Sequence, residues 1–265
     1  MSEMLELLAY PFVYRALIAG SLISVCASVL GVILVLKHYA LIGHGLSEIG
    51  FASLSIAAAL GLPVMLVSAP AVIIASFLIM FVSQRFRTAG DTAIAIASSA
   101  ALALGVIVSS LTGQTGAMNS WLFGSVLAVG TGDVIASVVL FAVVMGTFAV
   151  FYNRLFLITY NEDYARSLGI STTFYQFMIS ALTALVVVAG MRITGTLLIS
   201  GLVILPAVAA RRLAKSFLGL AVMSGVVSPV SFVGGLVLSF MVNIPAGAAV
   251  ILVNTILLIL VRVIA

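Results

Sequence analysis

Charge is absent from this sequence for tens of residues at a time. Acidic and basic side chains divide it into uncharged stretches at 16–36, 49–84, 92–132, 134–153, 167–191, 193–210 and 216–261. A helix needs about 20 mostly apolar residues to cross a bilayer, and only segments that satisfy their own backbone hydrogen bonds can remain there. With 64% of its 265 residues hydrophobic and 7% charged, the chain has too little polar surface to clothe a soluble globule. A cytosolic enzyme, a nucleic-acid binder, a disordered chain and a disulfide scaffold are therefore excluded. What remains is an all-α, polytopic bundle of membrane helices embedded in a lipid bilayer.

Turn signals divide the stretches into spans. Gly61-Leu62-Pro63 separates two spans, the first beginning near Ala40, and Asn243 to Gly247 separates two more within 216–261. The 92–132 stretch holds one span up to Leu111. Its remainder, Trp121 to Val129, is too short to cross and is expected to be re-entrant or interfacial. The total is about nine transmembrane helices. Lys37, Arg85, Arg87, Arg154, Arg166, Arg211, Arg212, Lys215 and Arg262 then all fall on one side, with only Arg15 and Arg192 opposite. Positive charge gathers in the cytoplasm, so the N-terminus is expected outside and the C-terminus in the cytoplasm. The N-terminal segment carries Glu3 and Glu6 without a basic region, and its first span is expected to be an uncleaved anchor. Gly20, Gly31, Gly195, Gly201, Gly225, Gly234 and Gly235 are expected where helices approach closely.

A charge inside hydrocarbon is costly unless paired or wetted, so polar residues there need a reason. His44 and Glu48 lie four apart on one helical face, with Ser47 beside them. An imidazole and a carboxylate within reach of one ion suit a first-row divalent metal. A pair that merely satisfies itself near the headgroups is the other account. Arg192, at an outer helix end, is expected to snorkel, or less readily to bridge to an external protein. The segment Glu162 to Gly169 has acidic residues to open a short helix and a glycine to close it. It is either a solvated helix or a place where a motor subunit docks. Pro206 is expected to kink its span. The lone Cys26 excludes an intrachain disulfide, and no Gly-x-x-x-x-Gly-Lys-Ser/Thr phosphate loop occurs. ATP-driven work would have to come from another chain.

Four stretches carry a resemblance in order along the chain: Gly31 to Lys37 leading into Leu41-Ile42-Gly43 and Gly45-Leu46-Ser47; Asp91 to Ile94, Ala103-Leu104-Gly105 and Leu122 to Leu127; Glu162 to Gly169; and Gly195 to Ser200 with Leu205-Pro206-Ala207 and Ala209-Ala210-Arg211. Together they resemble the permease subunit of the metal-ion family of binding-protein-dependent ABC importers, which take up zinc, manganese or iron in bacteria. The resemblance implies that 1–265 is a single transmembrane permease domain of the bacterial cytoplasmic (inner) membrane, similar in architecture to the vitamin-B12 importer. It implies a homodimer, two cytoplasmic ATPase subunits, an external metal-binding protein and no intrinsic cofactor. The transported ion is expected to be zinc or manganese, with iron less favoured. Glu162, Asp163, Ala165, Arg166, Leu168 and Gly169 would form the coupling helix that seats in the ATPase, and His44, Glu48 and Ser47 would be transient metal ligands.

The family pattern at this place is Gly-Asp-x-x-Ser-His, whereas this chain has His at 44 and Glu at 48. Imidazole and carboxylate exchange places, and the carboxylate arm lengthens. A permease for a chelated metal or siderophore is one alternative, disfavoured by the short chain and the His44–Glu48 face. An autonomous channel or secondary transporter is another, disfavoured by the lack of further mid-membrane charges.

Overall fold

The computed structural model describes residues 11–86, 90–113, 120–125 and 129–264. Glu3, Glu6 and part of the expected re-entrant segment lie outside them. Among the described residues there are no strands. The helices are α1 (Pro11–Leu36), α2 (Ile42–Ala59), α3 (Val64–Phe86), α4 (Gly90–Leu111), α5 (Thr131–Val150), α6 (Tyr152–Tyr160), α7 (Glu162–Ser167), α8 (Thr172–Thr194), α9 (Thr196–Leu213), α10 (Phe217–Val242) and α11 (Ala246–Ile264).

Seven of these are long and apolar enough to cross a membrane. The other two long helices, α2 and α9, are outside that set, and in α2 His44 and Glu48 lower the hydropathy. The two expected turns form. Gly61 takes a positive φ and the Leu62 amide closes on the Ala57 carbonyl. Asn243 adopts the left-handed conformation after α10, while Ser239 donates to the Ile244 carbonyl. The connection after α5 is more ordered than its composition suggests. α6 buries Leu155 and Ile158 against the bundle, and α7 follows directly.

The bundle is layered. In α1, 72% of the spanning window is buried, and in α8 67%, against 17% in α5 and 22% in α4 and α11. A helix apolar all round belongs inside a bundle or against lipid, and burial divides these helices between the two. α1 packs against α5, α8, α9 and α10, while α2 lies between α3, α4 and α9. Lipid offers no hydrophobic drive for helices to associate, so close packing and polar contacts must do it. A Cβ on Gly31 of α1 would stand 1.9 Å from the Val203 carbonyl oxygen of α9, and one on Gly235 of α10 would stand 2.3 Å from Val250 Cα of α11. Gly225 and Gly234, also expected at close approaches, have ordinary room. Hydroxyls add fastening. Ser228 and Ser224 of α10 donate to the Ser24 and Ser28 carbonyls of α1, at 2.9 and 3.1 Å. Ser109 of α4 bonds Ser55 of α2, and Ser180 of α8 reaches the Ser76 carbonyl of α3.

Candidate functional site

α2 begins one turn after α1 ends, and its first two turns carry the pair singled out above. The helix brings His44 Nε2 within 3.2 Å of Glu48 Oε1. Glu48 is 7% exposed, and its second oxygen, Oε2, is buried without a hydrogen-bond partner. A buried carboxylate oxygen left unsatisfied is costly, and a bound cation is one way to satisfy it. His44, by contrast, is open along one edge, its side chain 41% exposed. Ser47 is fully buried and its hydroxyl donates to the His44 carbonyl at 2.7 Å, so it serves the backbone first. Among the described residues no group of three or more His, Cys, Asp or Glu converges. The arrangement is therefore an incomplete pair with one open side.

At the same end of the molecule, Glu162 opens α7. Asn161 caps this helix by accepting from the Tyr164 amide, and Arg166 closes its last turn, as helix ends prefer. Gly169 follows with a positive φ of 77°. Ala165 is buried, while Asp163, Tyr164 and Leu168 point outwards. The Glu162 carboxylate gathers three donors: Lys37 Nζ at 3.0 Å, Gln176 Nε2 at 2.7 Å and Arg166 at 2.6 Å. Burial alone would push its carboxyl up, but Lys37, Arg166 and Gln176 together hold it below its usual value. Burial lowers the Lys37 ammonium, only partly offset by Glu162.

Also at this end, Arg211, Arg212 and Arg262 line a cavity of about 450 Å³ with Val208 and Leu258. Three guanidinium groups around one space repel a divalent cation.

At the opposite end, two glycine turns interlock. Gly124 and Gly195 both have positive φ, and a Cβ on either would lie 2.6 Å from the other's backbone nitrogen. The Ser125 amide donates to the Arg192 carbonyl. Arg192 pairs with Asp133 at the start of α5, so it is an ion-paired strut rather than a lone snorkelling cation. The expected re-entrant segment thus rests, in its described part, on the break between α8 and α9. Beside it lies a cavity of about 400 Å³ lined by Leu54, Val64, Met65, Trp121, Met191 and Arg192 among others. Gly50, whose missing side chain makes room for Met191, and Leu54 sit about 200° and 240° around α2 from Glu48, at about 100° per residue. His44 and Glu48 line neither cavity.

The structure thus brings His44 to Glu48, and Glu162 to Arg166. It leaves Asp163 and Leu168 at the surface and Pro206 inside α9. Sequence reasoning missed Lys37 and Gln176 as partners of Glu162, and Asp133 as the partner of Arg192. Nothing local signals these contacts, which join residues 125, 14 and 59 positions apart.

The ABC 3 transport family matches residues 9–265. The manganese transport system membrane protein MntC of Listeria monocytogenes is 30% identical over 251 residues, covering 95% of this chain and 90% of its own. The manganese import system permease protein ScaB of Streptococcus gordonii is 28% identical, over 94% and 89%. The solved structure of PsaBC from Streptococcus pneumoniae in complex with Fab superposes with a TM-score of 0.88 at 26% identity, covering 98% of this chain and 94% of that one.

Proposed function

This chain belongs to the ABC 3 transport family, and from that premise we propose that it is the channel-forming half of a manganese importer. It is a multi-pass membrane permease of a metal-transporting ABC system. Manganese is favoured over zinc or iron because the relatives named above are manganese systems; the imidazole and carboxylate alone would suit any of the three. The bundle lies in the bacterial inner membrane with nine spans, the N-terminus outside and the C-terminus in the cytoplasm. The gathering of Lys37, Arg154, Arg166, Arg211, Arg212 and Arg262 at one end supports this orientation.

The observation that carries the reading is the orphaned Glu48 Oε2 beside His44. The pair binds the ion in passing, and its exposed edge faces a path completed by a second copy of the permease. An external binding protein delivers the ion at the Arg192 end. A separate ATPase, needed because the sequence holds no phosphate loop, seats against α7 at the other.

The test is ATP-dependent manganese accumulation in proteoliposomes carrying the permease, its ATPase and the binding protein. His44→Ala and Glu48→Ala are each expected to drop accumulation to the level of empty vesicles while the ATPase still co-purifies. Wild-type accumulation in either variant would remove the pair from the path.

A further inference from the structure

Around the Glu162 carboxylate the three donors come from three different elements, and they are not equivalent. Arg166 belongs to α7 itself, one turn on, and its side chain is 56% exposed. It moves wherever α7 moves. Gln176, 3% exposed, ties the carboxylate to α8. Lys37 is the residue that leads elsewhere. Its side chain is only 9% exposed, and it stands directly after α1, at the head of the turn that starts α2.

That turn is short and internally bonded. The Lys37 amide donates to the Ile33 carbonyl at 3.0 Å, Tyr39 to Leu34 at 2.9 Å, Ile42 to Tyr39 at 3.1 Å and Gly45 to Leu41 at 3.0 Å. His38 takes the left-handed conformation at φ 60°, which folds the chain back sharply at that residue. No slack segment separates Lys37 from His44, seven residues on. A force on the Lys37 ammonium therefore reaches the first turn of α2 through hydrogen-bonded backbone. The pair is suited to passing such a force, because losing Glu162 would leave the Lys37 ammonium, 9% exposed, unpaired and poorly solvated.

We infer that Lys37 is the positioning residue through which α7 acts on the metal-binding helix, with Glu162 as its handle on α7. This rests on the reading of α7 as the seat of the ATPase. In this arrangement, a displacement of α7 driven by the motor pulls Glu162, Glu162 pulls Lys37, and the Lys37–Leu41 turn re-aims the start of α2, where His44 sits. Arg166 and Gln176 keep the carboxylate aimed while the load passes. Coupling of this kind is a free energy between two places, so double-variant measurements, not proximity, decide it.

The experiment uses the whole transporter in proteoliposomes, with its ATPase and binding protein. It reads manganese taken up per ATP hydrolysed, alongside the amount of ATPase retained on the purified permease. Lys37→Met is expected to keep the ATPase bound and hydrolysing but to lower uptake per ATP at least tenfold. Lys37→Arg should retain most of it. Lys37→Met combined with Glu162→Gln should cost no more than the worse single variant, because both break one link.

Should Lys37→Met fail to accumulate, Lys37→Gln, which keeps a hydrogen-bond donor towards Glu162 without the charge, carries the same test. Uptake per ATP lowered at least tenfold with the ATPase retained supports the link, and wild-type uptake per ATP in that variant overturns it. Wild-type uptake per ATP in Lys37→Met would also overturn it. So would a loss of uptake that merely tracks lost ATPase, since Lys37 would then only shape the docking surface. The underlying reading is tested separately by Leu168→Asp, at the exposed residue that follows α7. That change should release the ATPase, and undiminished binding would overturn the docking role of α7 and the link with it.

Discussion

Gly31→Val is expected to abolish folded permease from the membrane. A Cβ at this position would stand 1.9 Å from the Val203 carbonyl oxygen and 2.9 Å from its carbonyl carbon. These are backbone atoms, so no rotamer can step aside. Inserting methylenes into a well-packed core commonly costs about 1–3 kcal/mol, and here the obstacle is the backbone of α9, packed against α1, 72% of whose spanning window is buried. Separating α1 from α9 would also pull Ser24 and Ser28 away from α10 and open the centre of the molecule. Detergent-solubilised protein followed by size-exclusion chromatography gives the readout. The variant should yield aggregate or nothing, while Gly225→Ala, whose new methyl would find ordinary van der Waals room 3.7 Å from Val25 and Val29, should elute like the parent. A monodisperse Gly31→Val protein would mean that α1 and α9 can part without loss.

Gly195→Ala is expected to undo the glycine clasp at the α8–α9 break while leaving the rest assembled. Gly195 has φ 87° and ψ 159°, a region open in practice only to glycine, where another residue costs about 1–3 kcal/mol. The methyl would in addition meet the Leu122 carbonyl oxygen at 2.3 Å and the Gly124 nitrogen at 2.6 Å. Both penalties fall on the clasp that holds residues 120–125 to the α8–α9 break, so the segment should lift. Trp121 reports on this directly, being the single tryptophan of the sequence and half-buried at the cavity beside Arg192. Its emission should shift to the red in Gly195→Ala, with a lowered Tm and manganese uptake reduced at least tenfold. Unchanged emission and uptake would show that the clasp does not hold residues 120–125.

The helical membrane architecture was legible because hydropathy over about 20 residues is a strong and local signal. The turns at Gly61 and Asn243 were legible for the same reason, since each is set by the residues at the turn itself. His44 and Glu48 could be paired from sequence because a spacing of four places side chains one above the other on any helix. The short helix from Glu162 was readable from its own end residues. What escaped was everything set by packing between distant segments. Lys37 looked like one more cytoplasmic cation, and only the fold carries Glu162 and Gln176 to it. Arg192 looked like a snorkelling side chain because Asp133 is far along the chain and opens a different helix. Glycines were over-read: Gly31 and Gly235 do sit at backbone contacts, but Gly225 and Gly234 do not, and composition alone cannot tell which face of a helix meets a neighbour. Pro206 was visible, but Pro70 and Pro229, equally interior to α3 and α10, passed unmarked in long apolar runs.

The serine bonds from α10 to α1 have a mechanical corollary. Two stitches one turn apart, Ser228 to Ser24 and Ser224 to Ser28, resist sliding and rolling alike, so these helices travel as a single beam. Whatever rearrangement admits an ion on one side and frees it on the other must then be taken up elsewhere. The helix that bears His44 and Glu48, α2, lies outside that beam, between α3, α4 and α9, so its movement need not disturb the two stitches.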